Sequence, residues 1–323
     1  MNGSGSSSPA SSKPGTGSHA PREGLARRDF LALGGMAFAV GCAAAGTRSA
    51  PPRIPRARED RTRGFRLACK LGMVQENLSL EGRFSLLRSL GFDGVEMDAP
   101  NTLNAAEVEE ATKKTGLPVH GVVDSVHWRH CLSDPSPEVR AKGAAALKTA
   151  ILDAEAYGAT TVLLVPGRVT RTVRYDQVWD RSQREIAKVL PFAAEHGIAI
   201  AIENVWNGFL QSPLEFARYL DEFDSPWIGA YLDIGNMVKF GWPTHWIHAL
   251  GERILKVDVK GYSRAKGFRV GILEGDCGWK EVVPALETVG YRGWLTAEVG
   301  GGDRKRLSEI RAALEKIRSF AKG

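Results

Sequence analysis

Two kinds of apolar spacing alternate along the chain from residue 66 onward. Short runs that are apolar on both faces, such as 160–166 (TTVLLVP) and 198–204 (IAIAIEN), suit a parallel sheet covered by helices. Longer stretches carry apolar residues at helical spacing, most clearly over 137–157, 178–196 and 304–321. Six further runs complete the strand set: 66–72, 94–98, 118–124, 228–234, 254–260 and 294–299. Gly91, Gly116, Gly158, Gly197 and Gly290 stand where helices stop, and Asp134-Pro135 and Ser212-Pro213 where they start. Eight strand–helix units with right-handed crossovers predict an α/β fold, a (β/α)8 TIM barrel over residues 65–323. A doubly wound open sheet would place a Gly-rich phosphate turn after its first strand, and no such turn follows residue 72.

Polar exceptions within the apolar runs carry the chemistry. IAIAIEN delivers Glu203 to a strand end, YLDIGNM delivers Asp233, KVDVKGY offers Asp258 and WLTAEV delivers Glu298. Carboxylates at the C-terminal ends of barrel strands gather at one mouth, where active sites of this fold sit. A single strand-end acid is more often a helix cap or a salt-bridge partner. Four from consecutive strands point instead to one convergent, oxygen-rich metal site. A divalent ion held there binds adjacent oxygens of a sugar, and two flanking carboxylates then remove and return a proton beside a carbonyl. Glu203 and Glu298 come from well-separated strands and suit that pair, with Asp233 and Asp258 mainly holding metal.

Composition changes the picture chiefly at the N-terminus. The net charge is +6, but residues 1–64 hold ten Lys/Arg against four Asp/Glu, leaving 33 of each sign for the rest. The barrel therefore has no global attraction for nucleic acid. Residues 2–20 are rich in Gly, Ser and Pro and are expected to be disordered. Arg27-Arg28 ahead of Phe30-Leu31 and an apolar, Gly/Ala-rich run to about Gly46 resemble a twin-arginine export signal. That run is shorter than the roughly 20 residues of a membrane span. The domain expectation is residues 1–46 as disordered N-terminus and signal, then 47–64 as a basic, Pro-containing tether. The implied partner is the twin-arginine export machinery. The implied location is the periplasm or the outer side of the cytoplasmic membrane, with any membrane attachment through the signal or a lipid on Cys42. Cleavage near Ala43–Ala45 is the other fate. Cys42, Cys69, Cys131 and Cys277 have no spacing that suggests a disulfide framework or a zinc ribbon.

The stretches 202–223, 231–262 and 273–299, with shorter echoes at 91–97, 125–135 and 162–169, resemble the sugar phosphate isomerase/epimerase family of xylose isomerase-like TIM barrels. Within it the likeness is to L-ribulose/L-xylulose 5-phosphate 3-epimerases and hexulose phosphate isomerase-like proteins, over about residues 66–320. The resemblance implies Glu203 and Glu298 as metal ligands and acid/base pair, and Asp233 as a ligand. The fourth ligand of that family is a His in a VHVKD-like strand. This chain reads VDVKG there, with Asp258 for the His and Gly261 for the usual Asp. Four carboxylates without an imidazole favour Mn²⁺ or Mg²⁺ over zinc.

Around this core, Glu96 either bonds sugar hydroxyls or caps a helix. His127 and Trp128 follow the third strand, where a sugar can bond to the imidazole and stack on the indole. Arg168, with Arg171 and Arg174, either clamps an anion or forms a solvated loop, the commoner fate. Glu274 sits where the family orders a substrate loop, and Lys260 shares the face of Asp258 by the period of two. The expected activity is a metal-dependent sugar isomerase/epimerase of the 3-epimerase type, acting on a small carbohydrate through an enediolate. The alternatives are a 3-keto-sugar or inosose lyase or dehydratase on the same site, and a non-catalytic carbohydrate-binding barrel. DNA repair of the endonuclease IV type, on the same fold, needs a His-rich zinc site that the strand-seven Asp258 does not continue.

Overall fold

The structure, a computed structural model, describes residues 64–322. The export signal, Cys42 and nearly all of the tether lie outside the described residues. Eight strands close into a parallel barrel in sequence order: β1 (Arg66–Lys70), β2 (Gly94–Ala99), β3 (Val119–Asp124), β4 (Thr161–Leu164), β5 (Ala199–Glu203), β6 (Ile228–Asp233), β7 (Ile254–Val259) and β8 (Trp294–Ala297). The chain closes where β1 pairs with β8, Cys69 facing Ala297 across the ladder. All eight strands fall on the runs read from the sequence, and the expected TIM barrel is the fold observed.

Alternation explains how one strand serves two surroundings. Ile200 and Ile202 of β5, Leu232 of β6 and Val257 and Val259 of β7 join the large core between barrel and helices. The opposite parity turns inward, where Leu163, Ala201 and Tyr231 pack together. Below the mouth the interior is polar. The Tyr231 hydroxyl donates to Glu96 Oε1 at 2.8 Å and lies 3.3 Å from Thr296 Oγ1, which is 3.2 Å from His120 Nε2. Farther down, Trp294 is stacked between His120, 4.4 Å away, and the Arg66 guanidinium at 4.1 Å. Gly94 makes room for that indole, since a Cβ there would lie 2.6 Å from it.

The helices begin and end where local chemistry permits. Pro137–Ala156 starts on Ser136, whose Oγ accepts from the Val139 N–H, with Pro137 in the first turn. Tyr175–Glu195 begins three residues before the expected 178, because Gln177 folds back to accept the Arg174 N–H. β4 ends at Leu164 rather than 166. Val165 leaves the ladder, its N–H turning to His127 Nδ1 at 3.5 Å, and Pro166 has no N–H to give. Cys69, Cys131 and Cys277 are buried free thiols. Among the described residues no helix is long and apolar enough to cross a membrane.

Candidate active site

The ladder register decides what meets at the mouth. Asp233 and Asp258 are direct partners across β6 and β7. Like charges placed opposite one another destabilise a sheet unless something positive lies between or above them. Glu203 ends β5, and Glu298 lies one residue past β8, its N–H held by Val259 O at 3.0 Å. One carboxylate oxygen from each of Glu203, Asp233, Asp258 and Glu298 lies within 4.8 Å of all the others. Asp233 and Asp258 are fully buried, Glu203 is nearly so, and the Glu298 side chain is 31% exposed.

Two asparagines fix the acids of β5 and β6. Asn204 spans the strands: its amide donates to Asp233 O at 2.9 Å and its carbonyl accepts the Asp233 N–H at 2.8 Å. Asp233 Oδ1 in turn caps the single turn Ile234–Met237 by accepting the Asn236 N–H at 2.7 Å. The Asn236 amide donates to Asn204 O at 2.9 Å and reaches Glu203 Oε1 at 3.4 Å. This cross-bracing leaves Asp233 Oδ2 and the outer side of Glu203 facing the mouth.

Two ammonium groups sit among the acids. Lys70, the last residue of β1, lies 2.6 Å from Glu298 Oε1, 3.1 Å from Asp258 Oδ2 and 3.6 Å from Glu96 Oε2. Lys260 lies 2.8 Å from Asp233 Oδ2 and also pairs with Glu298 Oε2. Glu298 is thus held at both oxygens. Burial pushes its carboxyl up, but Lys70 and Lys260 outweigh burial and bring it down to about 2. At Glu203 burial dominates, the Glu298 charge adds to it, and the carboxyl rises well above its usual range. Burial likewise lifts Asp258 strongly and Asp233 to about 6, against the pull of Lys70 and Lys260 respectively. With all four acids ionised, the two ammonium groups leave two negative charges unbalanced. Neither oxygen of Asp258 accepts a hydrogen bond from a described residue. Hard oxygen donors short of two positive charges, with Asp233 Oδ2 and both oxygens of Asp258 buried and without a hydrogen bond, fit a divalent cation.

A cavity of about 500 Å³ opens over this cluster, lined by Lys70, Glu203, Lys260 and Glu298 at its base. His127 and Trp128 form one wall and Trp206 and Phe268 the other. The Trp206 indole N–H donates to Asn236 O at 2.8 Å, and its ring lies 4.8 Å from that of Phe268. Burial pulls the His127 imidazole down to about 4, so it is neutral at pH 7 and suited to sharing hydrogen bonds. A second cavity of about 430 Å³ shares Asn236, Lys260, Phe268 and Glu298 and continues past Phe268 towards Val270, Val299 and Arg306.

Of the residues expected at the site, Glu203, Asp233, Asp258 and Glu298 come together, and Lys260, His127 and Trp128 border them. Three lie apart. Glu96 is fully buried beneath the cluster and spends Oε1 on Tyr231, so it does not reach the cavity. Arg168 is solvent-exposed and lines neither cavity, its backbone N–H taken by Ser133 Oγ. Glu274 closes its own turn by accepting the Gly271 N–H at 3.0 Å. Lys70, Asn204 and Asn236 were not singled out in the sequence. Lys70 obeys the rule that exposed the acids, a charged residue ending an apolar strand run, and the two Asn stand beside those acids in IEN and DIGN.

A closed parallel barrel with a buried acid cluster at its C-terminal mouth defines the class of protein. The family model described as xylose isomerase-like TIM barrel matches residues 84–320, and the chain belongs to that family. It is 26% identical over 248 residues to the putative L-ribulose-5-phosphate 3-epimerase SgbU of Escherichia coli, covering 70% of this chain and 85% of that protein. Its fold is similar to D-psicose 3-epimerase of Clostridium cellulolyticum H10, solved with D-tagatose. The TM-score is 0.68 at 18% identity, covering 80% of this chain and all of that one. It is also similar to 3-keto-D-glucoside 4-epimerase YcjR of E. coli, with a TM-score of 0.64 at 17% identity, covering 79% of this chain and 99% of that one.

Proposed function

We propose that the protein is a metal-dependent sugar isomerase or epimerase that moves a proton beside a ketose carbonyl, of the 3-epimerase type. The observation that carries this reading is the convergence of Glu203, Asp233, Asp258 and Glu298 within 4.8 Å at the base of an aromatic-walled cavity. Epimerase relatives at low identity support it. Glu203, Asp233, Asp258 and Glu298 would hold a divalent ion, Mn²⁺ or Mg²⁺ by their all-oxygen chemistry. When bound, the ion supplies electron withdrawal at adjacent sugar oxygens.

The remaining chemistry falls to the chain's own residues. Glu298, kept ionised by Lys70 and Lys260, takes the proton from the carbon beside the carbonyl. Glu203 returns one from the other side, and the roles reverse in the opposite direction. Lys260 donates to a substrate oxygen and His127 to or from a hydroxyl. Trp128, Trp206 and Phe268 offer apolar faces to the sugar and narrow the access of water.

The decisive measurement is solvent deuterium incorporation into a panel of D-fructose, D-tagatose, D-psicose and a 3-keto-glycoside with Mn²⁺ present. Label beside the carbonyl without loss of a group is the expected result. Elimination of a β-substituent from a 3-keto-sugar would reassign the centre to a lyase, and neither outcome across the panel would leave a carbohydrate-binding barrel. Arg27 and Arg28 lead us to place the mature protein outside the cytoplasm, where unphosphorylated sugars are the accessible substrates. Cell fractionation of wild type and the Arg27→Lys, Arg28→Lys double variant tests this, export being expected only for the former.

A further inference from the structure

Lys70 brings a positive charge into the base of the site from the first strand. Its register partner on β2 is Glu96, and its ladder neighbour Cys69 pairs with Ala297, which places Glu298 alongside. The ammonium rests on Glu298 Oε1 at 2.6 Å and Asp258 Oδ2 at 3.1 Å, two of the four residues of the acid cluster. The side chain is 17% exposed and lines the cavity. Asp258 is fully buried, and its Oδ1 has no hydrogen-bond partner among the described residues. The cluster therefore already contains part of the positive charge it needs and keeps an oxygen ready for more.

We propose that Lys70 is an internal cation that sets how much external positive charge the four-carboxylate centre takes up, restricting it to moderate affinity for one divalent ion. The proposal rests on reading the four acids as a cation site. An ammonium held against two of the acids repels any cation that joins them, and burial makes that repulsion stronger than it would be in water. It also occupies oxygens a second ion would require. The acids alone would form a site of four negative charges, suited to trivalent ions or to a pair of divalent ones. With Lys70 and Lys260 in place, one divalent ion balances the four clustered acids when all are ionised.

The test is binding, independent of turnover. Metal-stripped wild type, Lys70→Met, Lys70→Gln and Lys70→Arg proteins are titrated with Mn²⁺, followed by electron paramagnetic resonance, and with Tb³⁺, followed by luminescence. Circular dichroism confirms the fold of each, and the Gln variant stands in should the Met variant fail to fold. Both neutral variants are expected to bind Mn²⁺ at least about tenfold more tightly and to gain still more for Tb³⁺, whereas the Arg variant stays near wild type. Mn²⁺ binding by the neutral variants but not by wild type would overturn the proposal together with the metal-dependent reading, since the native centre would then take up no divalent ion. Unchanged, weaker or absent binding in the folded neutral variants would overturn it. Failure of sugar exchange in a protein that shows the tenfold gain would count against the proposed activity and leave the role of Lys70 standing.

Discussion

Strands β5–β8 and strands β1–β4 are built alike, alternating an outward apolar side with an inward one, yet they end differently at the mouth. All four clustered carboxylates come from the second half. The first half brings Lys70 at the end of β1 and His127 and Trp128 after β3, while β4 ends on apolar residues. Its own strand-end acid, Asp124, is buried and accepts the Val126 N–H at Oδ1. Burial pushes its carboxyl up to about 7, although the Val126 N–H pulls the other way. Position at a strand end thus makes an acid available, and neighbouring strands decide whether it becomes part of a charged centre or stays a solitary buried carboxyl. On this division the second half supplies the acids and one ammonium group, Lys260, and the first half adds a second, Lys70.

Changes in the second half are expected to strike turnover hardest. Glu203→Gln should lower deuterium exchange by about 10³-fold or more with the circular dichroism spectrum unchanged, in the upper range for loss of an acid/base group. Exchange near the wild-type rate would remove Glu203 from the proton path. Asn204→Ala deletes both bonds that tie β5 to the Asp233 backbone, and should cost about 2–3 kcal/mol in urea unfolding because buried backbone groups lose their partners. A loss below about 0.5 kcal/mol would show that water or Asn236 replaces the brace.

Changes in the first half should act on binding and on stability. Trp128→Ala is expected to raise KM by about tenfold with kcat within about threefold, as the loss of a stacking face would. A collapse of kcat instead would move Trp128 across the divide. The smallest effect concerns Asp124. Its folded pKa, about 7, lies above an unfolded value of roughly 3.9, so the folded protein keeps this proton longer. Its contribution to stability is present below pH 4 and is lost as pH rises towards 7. Asp124→Asn removes that loss, so the variant's melting temperature relative to wild type should climb by a few degrees between pH 4 and 7. A flat difference would show that Asp124 is ionised throughout.

The barrel was legible because a parallel sheet writes its strands as apolar runs and its helices as amphipathic ones. The acids were legible for the same reason, as charges where an apolar run should continue. Lys70 satisfied that criterion, but the chemistry sought was anionic. Its importance depends on β1 closing against β8, a relation between residues 228 positions apart. The fate of Glu96 was not readable either, since only the register across the barrel shows Tyr231 reaching over to claim it. Arg168 and Glu274 sit on long loops, where sequence spacing carries little information about direction.

The seam between β1 and β8 has one more implication. Beyond Glu298 the chain runs through Gly301, where a Cβ would lie 2.1 Å from Met73 O, and Gly302, whose N–H donates to Met73 O and whose carbonyl accepts the Gln75 N–H. The last strand is thereby latched onto the turn that follows the first. A chain emerging from the ribosome exposes Lys70 early and Glu298 near the end of synthesis, and the two meet only when the ring shuts. Until β8 has docked on β1, Glu298 has no Lys70 beside it and the four acids cannot stand within 4.8 Å of one another.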